Sequence, residues 1–332
     1  MGLPINSSTN NDLYKLRYTI KENESITSIR ISPDGKTFAI SLGTKIKIFN
    51  IETQELITEL IGNTKGINDI QFSPLNSNII ASCSNDLTIR LWSIRDSKCI
   101  KILKKHTYHI TTIKFVSKGN LLISGSADET ITIWDITSGR IITTLAAHSD
   151  PVSSITLTPD NSIIISGAYD GLMRLFDLET SQCLKTLTTS TSHGTATAST
   201  SDVINFPISN VESSPNGQYI LSSSLDGLIR LWKYLDNKVI KTYQGVEGRS
   251  ISKKFNCETK FIIKTESPLI VSGSENDGII IWDINTKKIV YNYNNDDGPV
   301  LTLDIYNDGE LLISATKNGI INLYDLNNKY KI

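Results

Sequence analysis

His106, Ser124, Asp128 and Trp134 bring a histidine, a serine and a carboxylate into one short segment, the residue types of a hydrolytic triad. In such a triad the serine is the nucleophile, the imidazole its base, and the carboxylate holds the imidazole in the required tautomer. The spacing also carries a second reading. A histidine ahead of one strand, a serine in the next, an aspartate in the turn and a tryptophan in a third strand can hydrogen-bond in series within a sheet. Each buried polar group then satisfies its neighbour. The sequence favours this structural tetrad, with Ser126 as the alternative hydroxyl to Ser124.

Other chemistry is not spelled. The chain contains no Gly-rich phosphate loop, no HExxH and no Cys/His cluster at metal-ligand spacing. His109 and His193 stand apart from other candidate ligands, and Asp296 and Asp297, after two asparagines, read as a solvated loop. The four cysteines, Cys83, Cys99, Cys183 and Cys257, have no paired spacing and read as free thiols of a reducing compartment. No catalytic site and no cofactor are expected.

The elements that would position the tetrad are strands. Residues 121–135, LLISGSADETITIWD, alternate apolar and polar positions on both sides of a polar break, which makes a hairpin. Its closing Trp-Asp is the dipeptide of a WD-type propeller blade. Aromatic residues recur at the equivalent place, Phe49, Trp92, Trp134, Phe176, Trp232, Trp282 and Tyr324, separated by 43, 42, 42, 56, 50 and 42 residues. A step of roughly 40–45 residues is the period of a four-stranded blade. The expected fold is therefore all-β, a seven-bladed WD-repeat β-propeller, since one blade cannot bury both faces of its sheet alone.

Blades are expected at 26–60, 67–103, 110–145, 152–187, 208–243, 251–293 and from about 300 onward. The last is one strand short, because the chain stops soon after Tyr324. Residues 14–20, YKLRYTI, have no partner strand ahead of them and are expected to complete that blade and close the ring. Residues 1–13 then form a disordered tail and 14–332 a single propeller domain. Within it, the Ser/Thr-rich stretch 188–202 is a flexible insertion, because small polar residues bury too little apolar area to offset their ordering. Further extra residues, 260–268, are placed between the first two strands of blade six.

With 33 Lys and Arg against 34 Asp and Glu, the chain has no electrostatic footprint for nucleic acid. No apolar run approaches the roughly 18 residues of a membrane span, and the first residues, MGLPINSSTNN, lack the form of a secretory signal. The tetrad decays unevenly around the ring. Blade four has His148 and Asp170 but Phe176, which has no N–H to donate. Blades two and five have Asp86 with Trp92 and Asp226 with Trp232 but no histidine, and Asn276 and Asn318 stand for the aspartate in blades six and seven. Such decay suits a scaffold better than an enzyme.

Three passages narrow the family: 148–187, which includes SIIISGAYDGLMRLFD; 214–245, which includes SPNGQYILSSSLDGLIRLW; and 269–290, LIVSGSENDGIIIWDINTKKIV. In wording and order they resemble the WD-repeat scaffold subunit of COMPASS, or MLL-type, histone H3 lysine 4 methyltransferase complexes, in its fungal form. The resemblance implies a nuclear, non-catalytic subunit, a monomer within a hetero-oligomer whose partners are a SET-domain methyltransferase subunit and a second WD-repeat subunit. It implies a rim groove at blades five and six for a hydrophobic and acidic segment of that second subunit, matched here by Asn216, Tyr219, Leu231 and Lys241. It also implies a channel-mouth peptide site, with a histone H3 tail as a further partner. Asp69, Asn85, Thr111, Ser153, Tyr169, Ser209 and Ser252 match that mouth. Thr111 and Ser252 stand where metazoan members stack two phenylalanines on an arginine, and neither can do so. Rival readings are a WD-repeat scaffold of another complex, such as a ubiquitin ligase receptor or signalling adaptor, and a histone-tail reader acting alone.

Overall fold

The computed structural model describes residues 12–188, 205–294 and 297–330. Among them are seven four-stranded antiparallel sheets, with short turns of 3-10 helix as the only other regular elements. In six blades the strands lie in chain order from the axis outward. The seventh combines Val300–Tyr306, Leu311–Thr316 and Ile320–Leu326 with the amino-terminal strand Tyr14–Lys21 on its outside. That strand runs antiparallel to Ile320–Leu326, from Tyr14 opposite Leu326 to Lys21 opposite Ile320. The ring is thus closed by hydrogen bonds between the two ends of the chain.

The core lies between blades. Ala81, Cys83, Ile89 and Leu91 of blade two pack on Ile110, Ile113, Leu122 and Trp134 of blade three, and the pattern repeats around the ring. Each anchor aromatic keys its own blade into the preceding one: Trp92 into blade one, Phe176 into blade three, Trp232 into blade four, Trp282 into blade five and Tyr324 into blade six. The spacing legible in the sequence is therefore the spacing of the interfaces. Two glycines in second strands serve the same contact. A Cβ at Gly125 would lie 2.7 Å from Val152 of the next blade, and one at Gly167 2.5 Å from Ile208. At these positions glycine permits a close approach that any side chain would block.

Three expectations change. Asp12 and Leu13, assigned above to a tail, belong to blade seven: Leu13 is buried, its carbonyl accepts from the Asn327 amide, and the Asp12 carbonyl accepts from Asn327 Nδ2. Residues 1–11 and 189–202 of the tail and insertion lie outside the described residues, and Thr188 ends the strand Cys183–Thr188. The extra residues of blade six come before its first strand rather than after it. That strand is Thr259–Ile262, and 252–258 form a loop ahead of it. Finally, the aspartate of blade six is not replaced by Asn276. Asp277, one residue later, is buried and pairs with Arg249 at 2.9 Å.

Candidate functional site

The triad-like residues of blade three form one hydrogen-bonded series. The Trp134 indole N–H donates to Ser124 Oγ at 2.9 Å. Ser124 Oγ lies 2.8 Å from His106 Nε2, and His106 Nδ1 lies 3.0 Å from Asp128. Asp128 also accepts from the Thr107 amide at 2.9 Å and the Thr130 hydroxyl at 2.6 Å. A carboxylate at Nδ1 puts the ring proton there, so Nε2 accepts from the serine hydroxyl. Burial outweighs Asp128 and lowers the His106 pKa, keeping the ring neutral. Burial would raise Asp128, but the Thr130 hydroxyl, the Thr107 amide and His106 bring it down to about 2. Ser124 is fully buried, so no substrate reaches it. Ser126 instead donates to the carbonyls of Tyr108 and His109.

Asp128→Asn tests the tetrad. Because the folded pKa lies below the unfolded value of 3.8, the contribution of Asp128 is fully present above about pH 4 and is lost as pH falls through 2. The variant should lose about 1–2 kcal/mol at pH 7, with the gap to the parent closing between those limits. Urea titrations along a pH series read this, and a gap that stays constant to pH 2 would contradict it.

In other blades the series is rebuilt with different groups. His148 bridges Asp170 and Ser166 in blade four, without an indole. In blades two and five an arginine two residues before the tryptophan replaces the histidine: Arg90 reaches Asp86 and Arg230 reaches Asp226. Trp92 and Trp232 still donate to Ser82 and Ser222. In blade seven Asn318 donates to the Asp297 carbonyl. The sequence reading missed the two arginines.

The first strands line a central channel with a cavity of about 610 Å³. At its mouth the matched residues mostly tie blades together. Thr111 Oγ1 donates to the Val152 carbonyl at 2.5 Å, Ser153 to that of Ile208 at 2.6 Å, and Ser209 to that of Ser223 within its own blade. Asn85 accepts from Asn68, and Asp69 is buried against Arg30. Ser252 does not face the mouth: it is buried and bonds the amide and carbonyl of Phe255. The loop 252–258 turns Phe255 to the cavity instead, with Lys317 Nζ 4.7 Å from its ring centroid. From the same loop Asn256 donates to the hydroxyl of Tyr169 in blade four at 3.0 Å. Beside Tyr169, the mouth thus carries a second aromatic ring, Phe255, which the sequence analysis did not select.

Deeper, one register position of each first strand forms a ring of Arg30, Gln71, Lys114, Thr156, Glu212, Lys260 and Asp304. Arg30 chelates Glu258 with bonds of 3.0 and 2.6 Å and also reaches Asp69 at 2.9 Å. Lys260 pairs with Glu212 at 3.2 Å.

The four rim residues line one groove between blades five and six, of about 480 Å³. Leu231 and Tyr219 form its apolar floor, Leu231 being buried among Ile270, Ile280 and Trp282. Asn216 is exposed, and its Oδ1 accepts from Ser214 and from the Gln218 amide, the bonds of a turn residue. Lys241 donates to the carbonyls of Ile284 and Asn285. Lys101 and Lys185 make the same bonds to the following blades, so Lys241 is an inter-blade clamp that leaves its charge beside the groove. Ile240, Phe261, Ile263 and Pro268 complete the walls. Ile240 and Ile263 are exposed hydrophobics, a signal in the sequence that needed the fold to be seen.

A ring of seven blades with an apolar rim groove, a polar channel and a buried tetrad in blade three has the form of a protein-binding propeller. A family profile described as the WDR5 beta-propeller domain matches residues 19–325, and the chain belongs to that family of repeat scaffolds. It is similar to the COMPASS component SWD3 of Saccharomyces cerevisiae, 32% identical over 34% of this chain and 37% of the yeast protein. It is also similar to the Polycomb protein EED of Chaetomium thermophilum, 38% identical over 22% of this chain and 14% of that protein. A third relative is the nuclear distribution protein nudF of Aspergillus flavus, 29% identical over 32% and 24%. The matches to these three relatives span well under half of their lengths.

Proposed function

We propose that the chain is a non-catalytic scaffold subunit of a COMPASS-type histone H3 lysine 4 methyltransferase complex, acting in the nucleus. It would hold partner segments so that a SET-domain subunit and a second WD-repeat subunit assemble in the active arrangement. The observation that carries this reading is the groove at blades five and six, where Asn216, Tyr219, Leu231 and Lys241 meet around one apolar cavity. An extended segment with apolar and acidic side chains fits it, the apolar ones against Tyr219 and Ile240 and an acidic one toward Lys241.

The test is affinity purification of the intact chain from its own cells, with partner stoichiometry by mass spectrometry, beside Tyr219→Ala and Ile240→Asp. Neither variant cuts the Lys241 clamp. Both should keep the parent melting temperature within about 2 °C and lose the second WD-repeat subunit, with affinity falling on the order of 10- to 100-fold, as for a central aromatic anchor. A stable partner set without a methyltransferase would overturn the reading. The similarity to nudF and EED favours the second reading, a propeller scaffold of another complex, which that outcome would support.

A further inference from the structure

One stretch of the channel mouth is tied down only by side chains. The first strand of blade six, Thr259–Ile262, has four residues where the other first strands have six or seven, and among the described residues no backbone–backbone hydrogen bond engages any residue from 252 to 257. Both ends of this stretch are fixed. The Ile251 amide donates to the Gly227 carbonyl and the Glu258 amide to that of Leu301, while the Glu258 carboxylate is held by Arg30 and the Thr302 hydroxyl. Between the ends, the tip leans on two other blades. Asn256 reaches past blade five to the Tyr169 hydroxyl in blade four, and the Phe255 ring meets Lys317 of blade seven. Asn256, Tyr169 and Lys317 are exposed, so water competes for both contacts. Ser252 and Cys257, on either side of the tip, are buried.

We propose that residues 252–257 form a strap that opens and closes the channel mouth, with the Asn256–Tyr169 hydrogen bond as its latch. A segment without backbone pairing opens at far smaller cost than the sheets that carry it. Tyr169 and Phe255 both line the cavity. When the strap is closed, the Tyr169 hydroxyl accepts from the strap's own Asn256 and the Phe255 ring is met by Lys317. A ligand at the mouth that uses either group must displace these contacts, so its apparent affinity scales with the fraction of chains that are open. The opening ends at Glu258, whose bonds to Arg30 hold the strand below in place. The strap is separate from the rim groove and does not depend on the function proposed for it.

Cys257 reports the motion. It is 3% exposed, and burial pushes its thiol up to about 12, so a thiol reagent meets it only in the open form. In the whole chain carrying Cys99→Ser and Cys183→Ser, iodoacetamide labelling read by mass spectrometry compares Cys257 with Cys83, which lies in the core between blades two and three and reports unfolding. Cys257 should react at least about tenfold faster than Cys83, yet well below the rate of a free thiol. Tyr169→Phe changes no atom of the strap and removes the acceptor of the latch, so it should speed Cys257 about 2- to 10-fold. Asn256→Ala should do the same, and the two together no more than either alone, because they break one bond. Lys317→Met should give about a 2- to 5-fold increase. In each variant the Cys83 rate and the melting temperature should stay at the parent values, which separates strap opening from lost fold. A Cys257 as slow as Cys83, as fast as a free thiol in the parent, or indifferent to Tyr169→Phe would overturn the proposal.

Discussion

Arg30→Met should destabilise the protein by about 3–5 kcal/mol, the cost of removing one partner from a buried ion pair and leaving the other. The guanidinium binds both Glu258 oxygens and Asp69 Oδ1, and these side chains are 8%, 19% and 9% exposed. Burial pushes the Glu258 carboxyl up, yet Arg30 first, then Lys260 and the Thr302 hydroxyl, bring it down to about 2 from 4.5. A depressed carboxyl contributes stability that is present above its unfolded pKa and lost as pH falls through the folded one. The Glu258 contribution, about 3 kcal/mol by this shift, is therefore held above pH 4.5 and gone near pH 2, and Arg30→Met should flatten that acid limb. Asp304 is already raised, because burial exceeds the pull of Arg30 and Lys260. Without Arg30 it rises further. Arg30→Met with Glu258→Gln should cost less than the sum of the single changes, since the second removes the charge the first strands. Strict additivity in urea titrations would show that the two do not act as a pair.

How much of this was legible follows from particular residues. The seven aromatics could be read because each sits in the same interface and the blade period repeats it; the ring closure could be read because 14–20 is a strand pattern without a partner. Arg90 and Arg230 could not. An arginine two places before a tryptophan in a strand reads as a solvent-facing residue, and only the fold shows its guanidinium at the turn aspartate. The channel charges escaped for a related reason. Arg30 between Ile29 and Ile31, and Lys114 between Ile113 and Phe115, alternate like a strand with one wet face. Nothing local says that seven such faces turn toward one lumen. In blade six the loop 252–258 shifted the register, which made Ser252 look like a mouth residue while Phe255 holds that place. For the rim groove, residue types at four positions indicated the location, and the blades supplied the walls, because Ile240 and Ile263 come from different blades.

Removing residues through Lys21 should open the ring, with the largest loss of any change considered. The strand Tyr14–Lys21 carries the ladder to Ile320–Leu326, and without it that strand becomes an unpaired edge, a template for association with other chains. Tyr14 fixes the strand in place. It is 1% exposed, its hydroxyl donates to the Gly309 carbonyl at 2.6 Å, and its amide donates to the Tyr293 hydroxyl at 2.8 Å. Two point variants divide the effect. Tyr14→Phe should cost about 1–2 kcal/mol, because a buried carbonyl loses its donor. Tyr14→Ala should cost about 3–5 kcal/mol, the range for emptying a buried aromatic site. The truncated chain should elute as larger species and melt well below the parent. Added in trans, a peptide of residues 12–21 should restore a monomer by strand addition, whereas the same peptide with Tyr14→Ala should do so poorly. A truncated chain that stays monomeric and melts with the parent would mean that the ring is held by its inter-blade cores alone and that the closing strand is dispensable.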